Sequence, residues 1–293
     1  MYLENICEKN YGIGRIILNK SVNIFVLNWN GLHIINECLD SLMNISYINS
    51  TIIVIDNGSE DASVSFITKK YPKVKIVELE NNLGYAEGNN KGFGLFKKAD
   101  YSIFINNDTV VDPSFVEPLV NTLDSDEKIM QVSPKILYHH QKNTIWYAGG
   151  KVNLPIGYIR HKDIRKKDIS IFSLPSETDY ATGCCICMRS NDFNEIGRFD
   201  NSFPMYCEDV DLSLRFKKIG GKVYYVPESI IWHKVSSSIG GEFSINKWKR
   251  KELGKIKLIY KHLNPLIVPL VFPLLILLAV IELILNSLMR WFR

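Results

Sequence analysis

Asp108 stands in Ile105-Asn106-Asn107-Asp108-Thr109, directly after a run of apolar, strand-forming residues. A carboxylate presented beyond the end of a strand is suited to a hard divalent cation. Mg²⁺ or Mn²⁺ keeps several waters and takes one or two protein carboxylates, with substrate phosphates completing its shell. An Asx turn would use the same residues. Asp56, in Ile55-Asp56-Asn57-Gly58-Ser59, can accept hydrogen bonds from the donor edge of a uracil or thymine ring or from a ribose hydroxyl, or can cap a turn. Glu208-Asp209 enters a helical stretch, where the helix dipole and unsatisfied N–H groups favour an ionised carboxylate. Such a group can take a proton from an attacking hydroxyl; together with Asp211, the pair could equally cap a surface helix. His233 closes the apolar segment Ile230-Ile231-Trp232 and is a structural residue as readily as a ligand.

The elements that must position these side chains repeat one pattern. Val22 to Leu27 predicts a strand, followed by Asn28-Trp29-Asn30-Gly31 and a helix to about Asn44. Thr51 to Ile55 predicts a second strand, and Asp61 to Tyr71 a helix stopped by Pro72. Val74 to Leu79 is a third strand, with Asn81-Asn82-Leu83-Gly84 and a helix to about Lys98 behind it, and Tyr101 to Ile105 is a fourth. Strands alternating with helices of this length predict an α/β fold whose central sheet is mostly parallel, with right-handed crossovers. Apolar on both faces, the strands are expected in the middle of the sheet. Each of the four hands over at its C-terminal end to Asn, Asp, Gly or Ser, and ligands of open α/β sheets bind at those ends.

The second half is less regular. Tyr138 to about Thr178, with Gly149-Gly150, Pro155, Gly157 and the basic run Arg160 to Lys167, reads as a long mobile excursion. Ala181 to Met188 predicts a strand, Phe203 to Ile219 a loop leading into a helix stopped by Gly220-Gly221, and Lys222 to Val226 another strand. The tail differs in kind. Pro265 to Ile281 carries no charge, and at about 1.5 Å per residue its 17 residues cover roughly 26 Å, the lower edge of a span. A kinked span, a monotopic anchor and a helix buried between subunits of an oligomer all fit.

Composition is that of an ordinary globular protein, 46% hydrophobic and 23% charged, which excludes disorder, collagen and coiled coil. The net charge of +4 is unevenly spread: nine Lys/Arg against Glu252 and Glu282 give +7 from Lys247 onward, leaving 4 − 7 = −3 before it. Basicity beside an apolar stretch points to a membrane surface and away from nucleic acid. Seven of those cations precede the stretch, so the positive-inside rule predicts a body on the cytoplasmic face of the membrane. The six cysteines lack zinc-site spacing, residues 1–20 form a leader without a signal-peptide apolar run, and free, buried thiols in a reducing cytosol are expected.

In this order and spacing, Val26-Leu27-Asn28-Trp29-Asn30-Gly31, Ile55-Asp56-Asn57-Gly58-Ser59, Asn82 to Asn90, Asn106-Asn107-Asp108 and Tyr206-Cys207-Glu208-Asp209-Val210-Asp211-Leu212, with His233 downstream, resemble the family 2 inverting glycosyltransferases of the GT-A fold. The resemblance runs from about Val22 to His233 and implies a catalytic domain over 21–245, with 246–293 as a basic, hydrophobic membrane-anchoring tail. It implies that Leu27, Trp29 and Asp56 hold the nucleotide base, that Gly84 to Asn90 approaches the nucleotide, and that Asn106, with Asn107 between it and Asp108, stands at the family's Asp-x-Asp motif. Asp108 and His233 are thereby expected to bind a divalent metal (Mg²⁺ or Mn²⁺), Asp209 to be the general base, and Glu208 to orient sugar or acceptor. Asn106 departs from the motif, removing one negative charge and shifting metal coordination onto Asp108, His233 and the diphosphate. This form is familiar among rhamnosyltransferase-like members.

The expected reaction moves a sugar from a UDP- or dTDP-sugar, dTDP-rhamnose being favoured by resemblance, to a hydroxyl of a glycan or lipid-linked glycan with inversion. A polyprenyl-phosphate sugar transferase is the alternative, since the tail could present a lipid phosphate. A sugar nucleotidyltransferase requires a glycine-rich basic loop after the first strand, and Asn28-Trp29-Asn30-Gly31 is not one.

Overall fold

From Val22 to Asn106 apolar, β-branched runs alternate with amphipathic ones, and strand and helix alternate with them. The computed structural model describes residues 20–96, 98–169, 174–203, 205–235, 245–273, 275–277 and 281. The order is β1 (Val22–Asn28), α1 (Ile35–Leu42), β2 (Ser50–Asp56), α2 (Ser63–Lys70), β3 (Lys75–Glu78), α3 (Gly84–Phe96), β4 (Tyr101–Asn106), β5 (Thr109–Val111), α4 (Val116–Ser125) and β6 (Ile129–Tyr138). There follow β7 (Gln141–Tyr147), β8 (Gly150–Asn153), β9 (Tyr158–His161), β10 (Ser176–Glu177), β11 (Cys185–Arg189), α5 (Ser190–Glu195), α6 (Glu208–Lys218), β12 (Lys222–His233) and α7 (Ile245–His262).

The main sheet runs β10-β12-β6-β11-β4-β1-β2-β3, with β5 beside β12 and β7 beside β6. β3, β2, β1, β4, β6 and β12 point one way, while β11 and β10 run against them. Register sets Asn28 opposite Asp56 and Leu27 opposite Ile55 and Asn106, so these strands open on a common edge. Alternation divides the core. Val22, Ile24 and Val26 of β1 face a layer with Leu39 of α1, Ile67 of α2 and Leu119 of α4. Phe25 faces the opposite layer, with Phe93 of α3, Phe193 of α5 and Phe216 of α6.

The structure departs from expectation in four places. β3 lies at the sheet edge, with Lys75 and Glu78 exposed, because among the described residues no strand pairs its outer side. The stretch from Tyr138 to Thr178 is built of strands: β7 pairs with β6, and β8 with β9 as a separate hairpin. Residues 170–173 lie outside the described residues. The strand expected over Ala181 to Met188 begins only at Cys185, and the residues before it form a loop. Lys222 to His233 is one strand, irregular in register between Val226 and Ile230.

The tail helix α7 packs on the body. Leu258, Ile259 and Val268 belong to the same core as residues of α1 and α4. Residues 268–273 and 275–277 are also helical. Among the described residues no helix is long and apolar enough to cross a membrane, and the last residues of the expected anchor lie outside them.

Candidate active site

β1 and β2 end side by side, and their polar ends form one network. Asp56 is 2% exposed; its Oδ1 accepts from the Ser59 amide at 2.9 Å, and its Oδ2 accepts from Ser59 Oγ at 2.7 Å and Asn28 Nδ2 at 3.1 Å. Asn28 Nδ2 also reaches Ser63 Oγ at 3.0 Å, while its Oδ1 accepts from Asn107 Nδ2 at 2.9 Å. Asp56 thus holds the turn, as a capping residue does, and shows only an edge to a cavity of about 450 Å³. That cavity is lined by Trp29, Ser59, Glu78, Glu80, Asn81 and Asn82 among others, and Trp29 stands 46% exposed at its mouth. Gly58, at φ +70, lets the turn pass beneath the next loop: a Cβ there would sit 2.7 Å from the backbone of Asn81.

Asn57 fixes that next loop, donating to Asn82 Oδ1 at 3.0 Å and the Gly84 carbonyl at 3.1 Å and accepting from the Leu83 amide at 2.9 Å. Gly84 opens α3 in the left-handed region, φ +79. Asn90 points elsewhere. Its side-chain amide donates to the Phe199 carbonyl at 2.8 Å and to Asn201 at 2.6 Å, and accepts from the Phe199 amide at 3.2 Å. Leu27, part-buried at the end of β1, packs against the Phe25 layer.

Beyond β4 the chain turns sharply and returns as β5. The Asn106 carbonyl accepts from Thr109 Oγ1 at 2.7 Å, so the turn is internally closed. Thr109 pairs with His233 across β5 and β12, and this brings Asp108 Oδ1 to 3.2 Å from His233 Nε2, both residues buried. The Trp146 ring packs edge-on against His233, centroids 4.5 Å apart. Among the described residues no group of three or more His, Cys, Asp or Glu could hold a metal ion. One carboxylate and one imidazole converging on a buried point still fit a hard cation that takes its remaining ligands from phosphate oxygens and water. The donor set therefore fits Mg²⁺ or Mn²⁺ held jointly by protein and substrate.

Glu208 and Asp209 begin α6. Tyr206 and Cys207 before them both lie at φ +72, a backbone cost carried by two residues with side chains. Asp209 Oδ2 accepts from the Gly183 amide at 2.7 Å and Oδ1 from the Val210 amide at 2.8 Å. Glu208 is buried, and its Oε2 has no hydrogen-bond partner among the described residues. Here the sequence expectation is corrected: burial raises the pKa of both carboxyls despite the helix N-terminus, and the Asp209 charge raises Glu208 further. A carboxylate whose proton affinity is raised is the better base.

Two consecutive residues join the halves of this edge. Gly183 holds Asp209, and the Cys184 carbonyl accepts from the Asn106 amide at 3.0 Å. Tyr85 completes the contact, donating to the Gly183 carbonyl at 2.6 Å. The sequence expectations include neither Gly183 nor the structural use of Asn28, Asn57 and Ser59. The glycine immediately ahead of a cysteine-rich strand is the available signal, hidden because the apolar run around it makes the strand look longer than it is.

The model of the family described as glycosyl transferase family 2 matches residues 23–197, which includes Asp56, Asp108 and Gly183 and ends before Glu208. The chain is 24% identical over 213 residues to an N-acetylglucosaminyl-diphospho-decaprenol L-rhamnosyltransferase of Mycobacterium tuberculosis, covering 65% of this chain and 68% of that one. It is 24% identical over 268 residues to a poly-beta-1,6-N-acetyl-D-glucosamine synthase of Staphylococcus epidermidis, covering 86% of this chain and 59% of that one. Among solved structures, GalNAc-T7 with UDP, GalNAc and Mn²⁺ superposes with a TM-score of 0.65 at 16% identity, over 82% of this chain and 48% of that one, and shares the fold. The chain thus spans about half the length of that structure.

Proposed function

Since the chain belongs to glycosyl transferase family 2, we propose that it transfers a sugar with inversion from a nucleoside diphosphate donor to a hydroxyl of a glycan or lipid-linked glycan. The observation that carries this reading is the Gly183-Cys184 dipeptide, which ties Asp209 and the Asn106-Asn107-Asp108 turn to one rim. Trp29 offers its exposed ring as a platform for the base of a UDP or dTDP donor, with Asp56 behind it. Asp108 and His233 would hold a divalent cation, whose contribution when bound is to neutralise charge on the diphosphate.

Asp209 takes the proton of the acceptor hydroxyl as that oxygen bonds to the anomeric carbon. The bond from this carbon to the diphosphate oxygen breaks on the opposite face, and the electron pair leaves with the nucleoside diphosphate. Gly183 keeps one carboxylate oxygen engaged, which holds the carboxyl in a fixed geometry for attack. Glu208, beside it, is placed to orient sugar or acceptor. The mycobacterial relative's name supports a rhamnosyl donor and a lipid diphosphate acceptor. The exposed Leu266, Leu270, Ile276 and Leu277 support a membrane-surface location for the tail, and the seven Lys/Arg ahead of it support the cytoplasmic face.

Incubation with labelled UDP- and dTDP-sugars, Mn²⁺ and a membrane lipid extract tests the reading. A labelled lipid or glycan product with an inverted anomeric centre is expected. Retention of configuration, or no transfer from any donor, overturns it; a product in which the sugar is joined directly to a polyprenyl phosphate replaces it with the alternative transferase.

A further inference from the structure

The third acid of the Glu208-Asp209-Val210-Asp211 run is fully buried and faces away from the chemistry. Asp211 Oδ2 accepts from Arg215 Nε at 2.8 Å, and its Oδ1 meets both Lys261 Nζ and His262 Nε2 at 2.8 Å. Arg215 belongs to α6 itself, but Lys261 and His262 close α7, so this carboxylate ties the tail helix to the helix that starts with the base. The tie is repeated along α7. Lys261 also reaches Asp200 at 2.6 Å, and Lys257 donates to the Ser202 carbonyl. The Lys257 and Lys261 ammoniums lie over the Phe203 ring at 5.0 and 5.7 Å, and Lys251 lies over Tyr206 at 5.5 Å. Gly254 permits the approach: a Cβ there would come 2.9 Å from the Tyr206 carbonyl and 3.0 Å from Cys207 Sγ.

Each of these contacts falls on 200–211, the segment that includes the left-handed Tyr206 and Cys207 and delivers Glu208 and Asp209. Backbone in that region is strained for residues that carry a Cβ and persists only where surrounding structure over-determines it. We infer that α7 is a positioning element, and that Asp211, paired with Lys261 and His262, clamps the Tyr206-Cys207 turn so that Asp209 meets the Gly183 amide. Lys251, Lys257, Lys261 and His262 of α7 thereby serve the reaction through Asp209. This inference rests on the reading of Asp209 as the base.

The test compares the full chain with a Lys261→Met/His262→Gln double variant, which leaves Asp211 its Arg215 partner. Hydrogen exchange of amides 205–210 should accelerate in the variant, while amides 50–60 and 101–110 stay protected. With labelled sugar nucleotide and membrane lipid extract, kcat should fall about tenfold or more, since small misplacements of a catalytic group carry penalties of that order. UDP affinity in Mn²⁺, read by calorimetry, should stay within about twofold, because the nucleotide pocket is built from other elements. Lys261→Arg should retain wild-type turnover. If the double variant does not fold, Lys261→Met alone is judged by the same readouts. Unchanged exchange at 205–210, or wild-type kcat in the double variant or in Lys261→Met, overturns the clamp. Failure of the wild type to bind UDP and dTDP or to transfer sugar counts against the proposed function, and the exchange readout still decides the clamp.

Discussion

Gly183 donates its amide to Asp209 Oδ2 over 2.7 Å, and the residue after it accepts from the Asn106 amide. One loop therefore registers Asp209, the proposed base, against the turn that follows β4. Gly183 has little room beside it: a Cβ would lie 3.3 Å from Tyr85 Oη and 3.5 Å from Asp209 Cβ. Gly183→Ala is expected to lower kcat by about tenfold with little change in donor KM, because proximity of the base is lost while the pocket stays whole. Asp209→Asn, which keeps shape and loses basicity, should lower kcat by about 10²–10⁴-fold and leave nucleotide binding intact. Steady-state kinetics on both variants checks the pair, and an Asp209→Asn enzyme turning over near the wild-type rate sinks the assignment.

The Asp108–His233 contact makes a second, separable prediction. Asp108→Asn and His233→Asn should each weaken UDP affinity in Mn²⁺ by at least about tenfold, the scale on which ligand-sphere changes act. In EDTA the wild type and both variants should bind UDP equally weakly. A calorimetric titration in which the Mn²⁺ dependence of the variants equals that of the wild type removes these residues from the metal.

How much of this edge is legible in the sequence depends on what the side chains do locally. Asp56, Asp108 and Glu208-Asp209 are readable because each follows a strand or opens a helix, and sequence patterns mark those boundaries well. The use of Asp56 is not readable. Its oxygens are taken up by Ser59 and Asn28, and no spacing rule distinguishes an Asp that caps a turn from one that meets a ligand. Asn90 reads as a nucleotide contact in the motif but bonds to Phe199 and Asn201, a partnership over more than a hundred residues that only the fold creates. The excursion after Tyr138 misleads because Gly149, Pro155 and Gly157 are loop residues by type, whereas here they punctuate β7, β8 and β9. The basic tail has a use that its sequence does not show: Lys257 and Lys261 bond to the body's own Ser202, Asp200 and Asp211.

The raised pKa values of Glu208 and Asp209 fix the sign of two pH effects. Burial is the main cause for both, so the folded enzyme holds protons that the unfolded chain would release. The acid limb of kcat/KM should therefore lie above the ordinary carboxylate range of about 4, and should involve more than one proton because the Asp209 charge acts on Glu208. Glu208→Gln should leave a single-proton limb. Stability follows by linkage: a folded pKa raised above the unfolded one means stability is lost as pH rises above the unfolded value. Glu208→Gln should then melt higher than wild type at about pH 8, with the advantage vanishing near pH 4. A wild-type limb below pH 4, or equal melting at the higher pH, contradicts the argument.

Trp29 and Asp56 line the same cavity but should fail differently when altered. Trp29 is half exposed and lends a ring face; its loss costs stacking, which is worth about 1–3 kcal/mol per base, or roughly five- to 150-fold in affinity. Trp29→Ala should accordingly weaken UDP and dTDP binding by about that factor with an unchanged melting temperature. Asp56 is buried and satisfies Asn28 Nδ2, the Ser59 amide and Ser59 Oγ. Removing it strands buried donors at a cost of about 1–3 kcal/mol, so Asp56→Ala should lower the melting temperature before it reports on the nucleotide at all. Thermal melts and calorimetry on the two variants separate a surface that touches the base from a strut that holds the surface in place. If Trp29→Ala melts early while binding UDP normally, the cavity beside it is not where the base rests.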